Sequence, residues 1–218
     1  CNLNCQFCYK FGELDNIPPV GEGMWEIGGT KFYEKDIDLL LSIQSKPTGI
    51  SYVYLEPFME IEKYYTVIKK FSDEGIHQHL YTNGILATEE TLKALGEAGL
   101  DEIRFNLGAT NVSDKVIENI KTAKKYIKSV GIETPMTPEF FETFSRKKQV
   151  ILDTGLDFIN CAELHLNENN IYNYYGANMY IARHGYISPV WSRELTLKLM
   201  KTAVEENWGI AVHDCSNY

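Results

Sequence analysis

The sequence predicts an α/β fold in which parallel strands alternate with helices as a barrel or an open part of one. Three observations carry this. β-rich apolar runs start near Ile50, Ile76, Glu102, Ile132 and Phe158, about 26 to 30 residues apart. Between them, apolar residues recur at helical spacing. Glycines at Gly75, Gly99 and Gly131 stand where such helices would turn off through a left-handed C′ residue. Strand, helix, strand at this interval gives right-handed βαβ units and a parallel sheet.

Taken in order, the chain opens on Cys1-Asn2-Leu3-Asn4-Cys5-Gln6-Phe7-Cys8. From Lys10 to Thr30 every period is broken, by Gly12, Pro18, Pro19, Gly21, Gly23, Gly28 and Gly29, which predicts an irregular lid or docking loop with Met24 and Trp25 as its large side chains. A helix is expected over Tyr33 to Ser45, then the strand Ile50-Ser51-Tyr52-Val53-Tyr54-Leu55. Ile61, Tyr64, Tyr65, Ile68 and Phe71 mark the next helix; Leu92, Leu95 and Ala98 another; Val116, Ile117, Ile120, Ala123 and Ile127 a third. A helix from Ser192 to Asn207, closed by Trp208-Gly209, leads to a last short strand over Ile210 to His213. Six strands follow the cysteine loop, and a further one is expected ahead of Cys1.

At 218 residues the chain fits one α/β unit, since such barrels run to roughly 200–250 residues. Its hydrophobic fraction of 44% supplies a sizeable core, and no apolar run approaches the roughly 18 residues that cross a membrane. A net charge of −9 opposes a phosphate-neutralising surface, so nucleic acid is not an expected partner. Five cysteines, three of them clustered, are not a disulfide framework and point to a reducing cytoplasm. The first residue is Cys rather than Met, so residues 1–218 read as one domain excised from a longer protein.

Three thiols at offsets of four and three must converge on one centre. Cysteine clusters hold either zinc, with four N or S ligands, or an iron-sulfur cluster, with four thiolates. Three ligands fall one short of both, and a missing ligand at a catalytic metal is the position where substrate or water binds. The same trio, completed by one distant residue, would instead make a zinc-stabilised, non-enzymatic binding module.

CxxxCxxC with an aromatic residue, Phe7, before its last cysteine resembles the signature of the radical S-adenosylmethionine superfamily, and the runs Gly75 to Gly84 and Phe158 to Leu164, with the closing helix before Gly209, resemble those of pyruvate formate-lyase activating enzymes. The resemblance implies a partial (β/α)6 TIM-like barrel of parallel strands, open on one side, and a radical SAM oxidoreductase. It implies that Cys1, Cys5 and Cys8 hold three irons of a 4Fe-4S cluster whose fourth iron chelates S-adenosylmethionine. One electron then cleaves the sulfonium, and the 5′-deoxyadenosyl radical abstracts a hydrogen atom from a substrate. A flavodoxin- or ferredoxin-like donor, and a protein or peptide substrate such as a glycyl-radical enzyme, would be the partners.

Parallel α/β barrels carry reactive groups at the carboxyl ends of their strands. Those ends are polar throughout: Glu56-Pro57, Thr82-Asn83-Gly84, Asn106, Thr137, Glu163 with His165, and His213-Asp214. Glu56-Pro57 matches the family motif that receives the methionine amino group, although Tyr54 and Leu55 replace its small residues. By the same likeness Thr82 and Asn83 lie near the S-adenosylmethionine, Asn106 meets its ribose, and Phe7 packs beside its adenine. His77 and His79 share a strand face but have no evident third metal ligand, so they read as buried core histidines. The run Tyr172-Asn173-Tyr174-Tyr175-Gly176 could shape a substrate cleft or pack as a loop. Cys161 reads as a small core residue, and Cys215 as either unremarkable or a ligand to a second cluster.

Overall fold

The computed structural model describes residues 1–16, 21–27, 29–43, 47–53, 55–182 and 185–216. Tyr54, Pro18, Pro19, Gly28 and the expected helix end at Ser45 lie outside the described residues. After the cysteine loop comes an antiparallel hairpin of β1 (Met24–Ile27) and β2 (Thr30–Tyr33), followed by α1 (Ile37–Ile43). Strands and helices then alternate: β3 (Gly49–Tyr52), α2 (Tyr64–Asp73), β4 (His77–Thr82), α3 (Glu89–Ala98), β5 (Glu102–Phe105), α4 (Asp114–Ala123), β6 (Ser129–Pro135), α5 (Pro138–Leu152) and β7 (Phe158–Ala162). A second hairpin, β8 (Met179–Ile181) with β9 (Ile187–Pro189), precedes α6 (Val190–Glu205) and β10 (Ala211–Asp214).

The main sheet has six strands in the order β10-β7-β6-β5-β4-β3, all parallel. Neighbours in sequence are neighbours in space, as successive right-handed crossovers require. The outermost strands, β3 and β10, do not pair with each other among the described residues, so the sheet is a partial barrel open on one side. The pleat divides each strand between two faces. On β4, Gln78, Leu80 and Thr82 are buried, and Gln78 Nε2 donates to the Ile68 carbonyl of α2 at 2.9 Å, which fixes this set as the helix-facing one. Ile103, Phe105, Ile132 and Ile159 continue it across the sheet, each 0% exposed. Each such side chain contributes about 1.5–3 kcal/mol by leaving water. His77, His79 and Tyr81, with Glu102, Arg104 and Glu133, point to the other face.

Four sequence expectations change. The irregular stretch contains β1, whose Trp25 stacks edge-on against Tyr64 of α2 at 5.0 Å, so this side chain anchors the hairpin to the core. Tyr33 ends β2, and the expected helix starts only at Ile37, after a 3-10 turn at Glu34–Asp36. Gly131 sits inside β6 and caps nothing. A Cβ there would lie 2.3 Å from the Phe158 ring of the adjacent strand, so glycine is required by packing across the sheet. Finally, α5 and the β8–β9 hairpin were not anticipated, although Thr137 accepts from the Phe140 N–H and Pro138 occupies the first turn of α5, a recognisable helix start.

Candidate active site

The carboxyl ends of β3, β4 and β5 meet around one buried carboxylate. Glu56 follows β3 and caps the 3-10 turn Pro57–Met59, where Pro57 supplies a fixed φ and lacks the N–H that the cap would otherwise have to satisfy. Its Oε1 accepts from the Phe58 N–H at 3.2 Å and from the Thr82 hydroxyl at 2.7 Å; its Oε2 accepts from the Asn83 N–H at 2.7 Å. Burial raises the Glu56 pKa, opposed by these three hydrogen bonds to the charged form. Such a carboxylate gains from an ammonium, and Oε2, with a single donor among these contacts, has capacity to receive one.

Thr82 passes its own acceptor to the Gly84 N–H at 2.9 Å, and the Asn83 side-chain oxygen accepts from Ile85. Asn106 donates its backbone N–H to the Thr82 carbonyl at 2.7 Å. Its side-chain oxygen caps the following 3-10 turn through the Ala109 N–H at 3.1 Å and accepts the Thr134 hydroxyl at 2.9 Å. The turn in which Asn106 sits is thereby fixed.

The cysteine loop is hung across these ends. Asn83 Nδ2 donates to Asn2 Oδ1 at 2.7 Å, and the Cys5 thiol points at the Ala109 carbonyl, 3.8 Å away. On the other side, the segment after β7 grips the loop backbone through asparagine amides. Asn173 donates to the Gln6 carbonyl at 2.8 Å, Asn170 to that of Phe7 at 2.9 Å, and Asn167 and Asn169 both to that of Tyr9, at 2.9 and 2.8 Å. Phe7 thus joins the group through its backbone rather than through the strand ends. Sequence reading missed this clamp; the density of asparagine after β7 was its only local signal, and attention fell on the tyrosines between them. Of these, Tyr172 and Tyr175 are exposed, whereas Tyr174 packs against Trp191 at 5.8 Å.

The thiols of the loop differ in their surroundings. Burial, with Cys8 beside it, pushes the Cys5 thiol up to about 11, while the Lys10 N–H donates to the Cys8 sulfur at 3.4 Å. Three thiolates alone leave either a zinc tetrahedron or a four-iron cluster one ligand short.

The open face of the sheet carries a polar network below this site. Arg104 donates to Glu102 at 2.5 Å, to Tyr81 at 2.8 Å and to Glu133 at 2.7 Å. Asn160 and the Cys215 thiol also reach Glu133, at 3.0 and 3.6 Å, so Cys215 faces a carboxylate here. Cys161 is buried in the core as expected. The expectation that His77 and His79 are buried core histidines is corrected: His77 is half-exposed and His79 partly buried, and β5 brings Glu102 beside them.

Comparison with known proteins agrees with this geometry. A family model described as the Radical SAM superfamily matches residues 1–146. A Methanocaldococcus jannaschii protein whose provisional name is glycyl-radical enzyme activating enzyme is 32% identical over 180 residues, covering 78% of this chain and 46% of its own length. The tungsten-containing aldehyde ferredoxin oxidoreductase cofactor-modifying protein of Pyrococcus furiosus is 25% identical, covering 72% of this chain and 47% of its own length. The chain therefore spans about half the length of the curated relatives it matches. Among solved structures, SuiB of Streptococcus suis bound to S-adenosylmethionine superposes with a TM-score of 0.63 at 13% identity, over 100% of this chain and 48% of SuiB. A domain of pyruvate-formate lyase-activating enzyme from Bacteroides vulgatus gives 0.53 at 12% identity, over 79% of this chain and all of that domain. These last two likenesses concern the fold, the same parallel α/β partial barrel. With the family model matched through the cysteine loop and the ends of β3, β4 and β5, the chain belongs to the radical SAM superfamily, whose members use a 4Fe-4S cluster and S-adenosylmethionine.

Proposed function

We propose that residues 1–218 are the radical-forming core of a longer enzyme that cleaves S-adenosylmethionine reductively and takes a hydrogen atom from a substrate. When bound, the cluster supplies one electron and an open iron position, and S-adenosylmethionine supplies the 5′-deoxyadenosyl radical. Cys1, Cys5 and Cys8 are the iron ligands in this reading. Glu56 receives the amino group of the methionine end, held at the right height by Pro57 and by the donors of Thr82 and Asn83. Thr82 and Asn83 line the same end, Asn106 meets the ribose, and the Phe7 ring packs on the adenine. The asparagine clamp holds the backbone of the cysteine loop in place.

The observation that carries this reading is the buried Glu56 carboxylate, locked onto Thr82 and Asn83 and tied through Asn2 to the cysteine loop. The substrate is a polypeptide, in the first instance a glycyl-radical enzyme, a reading supported by the name of the M. jannaschii relative. A flavodoxin- or ferredoxin-like protein delivers the electron in a reducing, cytoplasmic compartment. A zinc module is disfavoured because the family model that matches residues 1–146 is that of the Radical SAM superfamily.

The test is anaerobic reconstitution followed by dithionite and S-adenosylmethionine, with chromatographic assay of 5′-deoxyadenosine. Production is expected, and Glu56→Gln should weaken S-adenosylmethionine binding by roughly 30-fold, the equivalent of about 2 kcal/mol for a buried charge partner. No product from a loaded chain with bound S-adenosylmethionine overturns the activity. A flat electron paramagnetic resonance spectrum after mixing with a glycyl-radical enzyme of the same genome overturns the substrate assignment alone.

A further inference from the structure

On the face of the sheet turned away from the helices, His77 and His79 of β4 and Glu102 of β5 each offer a ligand atom within 4.8 Å of the others. The strand period puts the two histidines on one face, and the parallel register sets Glu102 directly against His79. The imidazole centroids are 6.1 Å apart. Two histidines and a carboxylate are a donor set that holds zinc or iron(II) while leaving positions for water.

Two further observations point to a cation rather than to a self-satisfied polar cluster. Among the described residues the Nδ1 of His79 is buried and has no hydrogen-bond partner, whereas buried polar atoms nearly always have one. A metal ion would meet that demand. His77 Nδ1 lies 3.7 Å from Asp101 Oδ2, so a carboxylate stands beside this imidazole, although that oxygen accepts from the Gln78 N–H at 2.9 Å. Arg104 is the cation beside the site, but it is shared between Glu102 and Glu133. Glu102 Oε2 also accepts from the Ser129 hydroxyl at 3.2 Å, and Asp101 adds a carboxylate beside His77, so three carboxylates against one guanidinium give a divalent ion net negative surroundings.

We propose that His77, His79 and Glu102 bind one divalent transition-metal ion of the zinc class, pinning β4 to β5. The site lies toward the amino ends of these strands, about 13 to 20 Å along β4 from the Asn83 contact of the cysteine loop, so it is separate from the cluster.

The experiment is calorimetric titration of zinc(II) into the full chain with its iron-sulfur cluster already assembled, so that Cys1, Cys5 and Cys8 are occupied. One ion per chain is expected. His77→Ala and Glu102→Gln should each weaken binding about 100-fold or more, while Cys215→Ser leaves it unchanged. His77 is half-exposed at the start of its strand, so its truncation leaves no core cavity even where His79→Gln fails to fold. Absence of zinc uptake, uptake undiminished by His77→Ala and Glu102→Gln, or uptake abolished by Cys215→Ser overturns the assignment.

Discussion

Leu55 has a φ of 55°, in the left-handed region that costs a side-chain-bearing residue roughly 1–2 kcal/mol. It immediately precedes Glu56, at a position where the superfamily motif carries a small residue. The backbone conformation suited to glycine is kept although the side chain is not glycine, so the turn that aims Glu56 at Thr82 and Asn83 is held against local strain by those hydrogen bonds. Two substitutions separate strain from packing. Leu55→Val, β-branched and least tolerant of positive φ, should destabilise the protein by about 1–2 kcal/mol in urea unfolding. Leu55→Gly should be close to neutral, because relief of strain is offset by roughly 0.5–1 kcal/mol of backbone entropy. Equal losses in both would show that the leucine is there for its contacts.

Among the elements, the segment after β7 shapes the site most. Asn170 is 0% exposed; its Nδ2 donates to the carbonyls of Phe7 and His165, and its Oδ1 accepts from the Asn167 N–H. Asn170→Ala leaves these groups short of partners. It should lower unfolding stability by about 2–3 kcal/mol, and a chelator should strip iron from the loaded chain about tenfold faster. Asn170→Asp keeps the acceptor but turns a carboxylate toward two carbonyls, and should be at least as damaging. Unchanged iron release in Asn170→Ala would leave the clamp a purely structural feature. This segment also shows where sequence reading stops. The core strands and α3 and α4 were legible because Leu92, Leu95, Ala98, Val116, Ile117 and Ile120 repeat locally. Gly131 misled because its partner, Phe158, lies on another strand. The asparagine clamp was silent because its acceptors lie about 160 residues away and are backbone carbonyls, identical at every residue. Glu56, Thr82 and Asn83 could be named from a motif, but the hydrogen bonds joining them are products of the folded sheet.

Across the whole molecule, the cysteine loop bridges the mouth of an open sheet, held by Asn83 and Ala109 beyond β4 and β5 on one side and by the clamp beyond β7 on the other. Metal binding by Cys1, Cys5 and Cys8 orders the loop that makes these contacts, so cluster loading is folding free energy for the loop. Protons are linked to that step. Burial and the neighbouring Cys8 push the Cys5 thiol from an ordinary value near 9 to about 11, so at neutral pH the empty loop holds a proton that a metal ligand must give up. A thiol pKa raised by folding stabilises the empty form below about pH 9, and that contribution fades as pH rises toward 11. The loaded form holds no proton at Cys5, so it gains relative to the empty one at every pH below about 11, by roughly 1.4 kcal/mol per pH unit for this one thiol. Between pH 7 and 8.5 the chelator concentration that removes half the iron should therefore rise by roughly 30-fold or more, after correction for the chelator's own titration. The gap in thermal midpoint between loaded and empty chains should widen in parallel. Iron retention independent of pH would mean that Cys5 is already a thiolate in the empty loop, and that the loop is open to water at the point where it packs on Ala109.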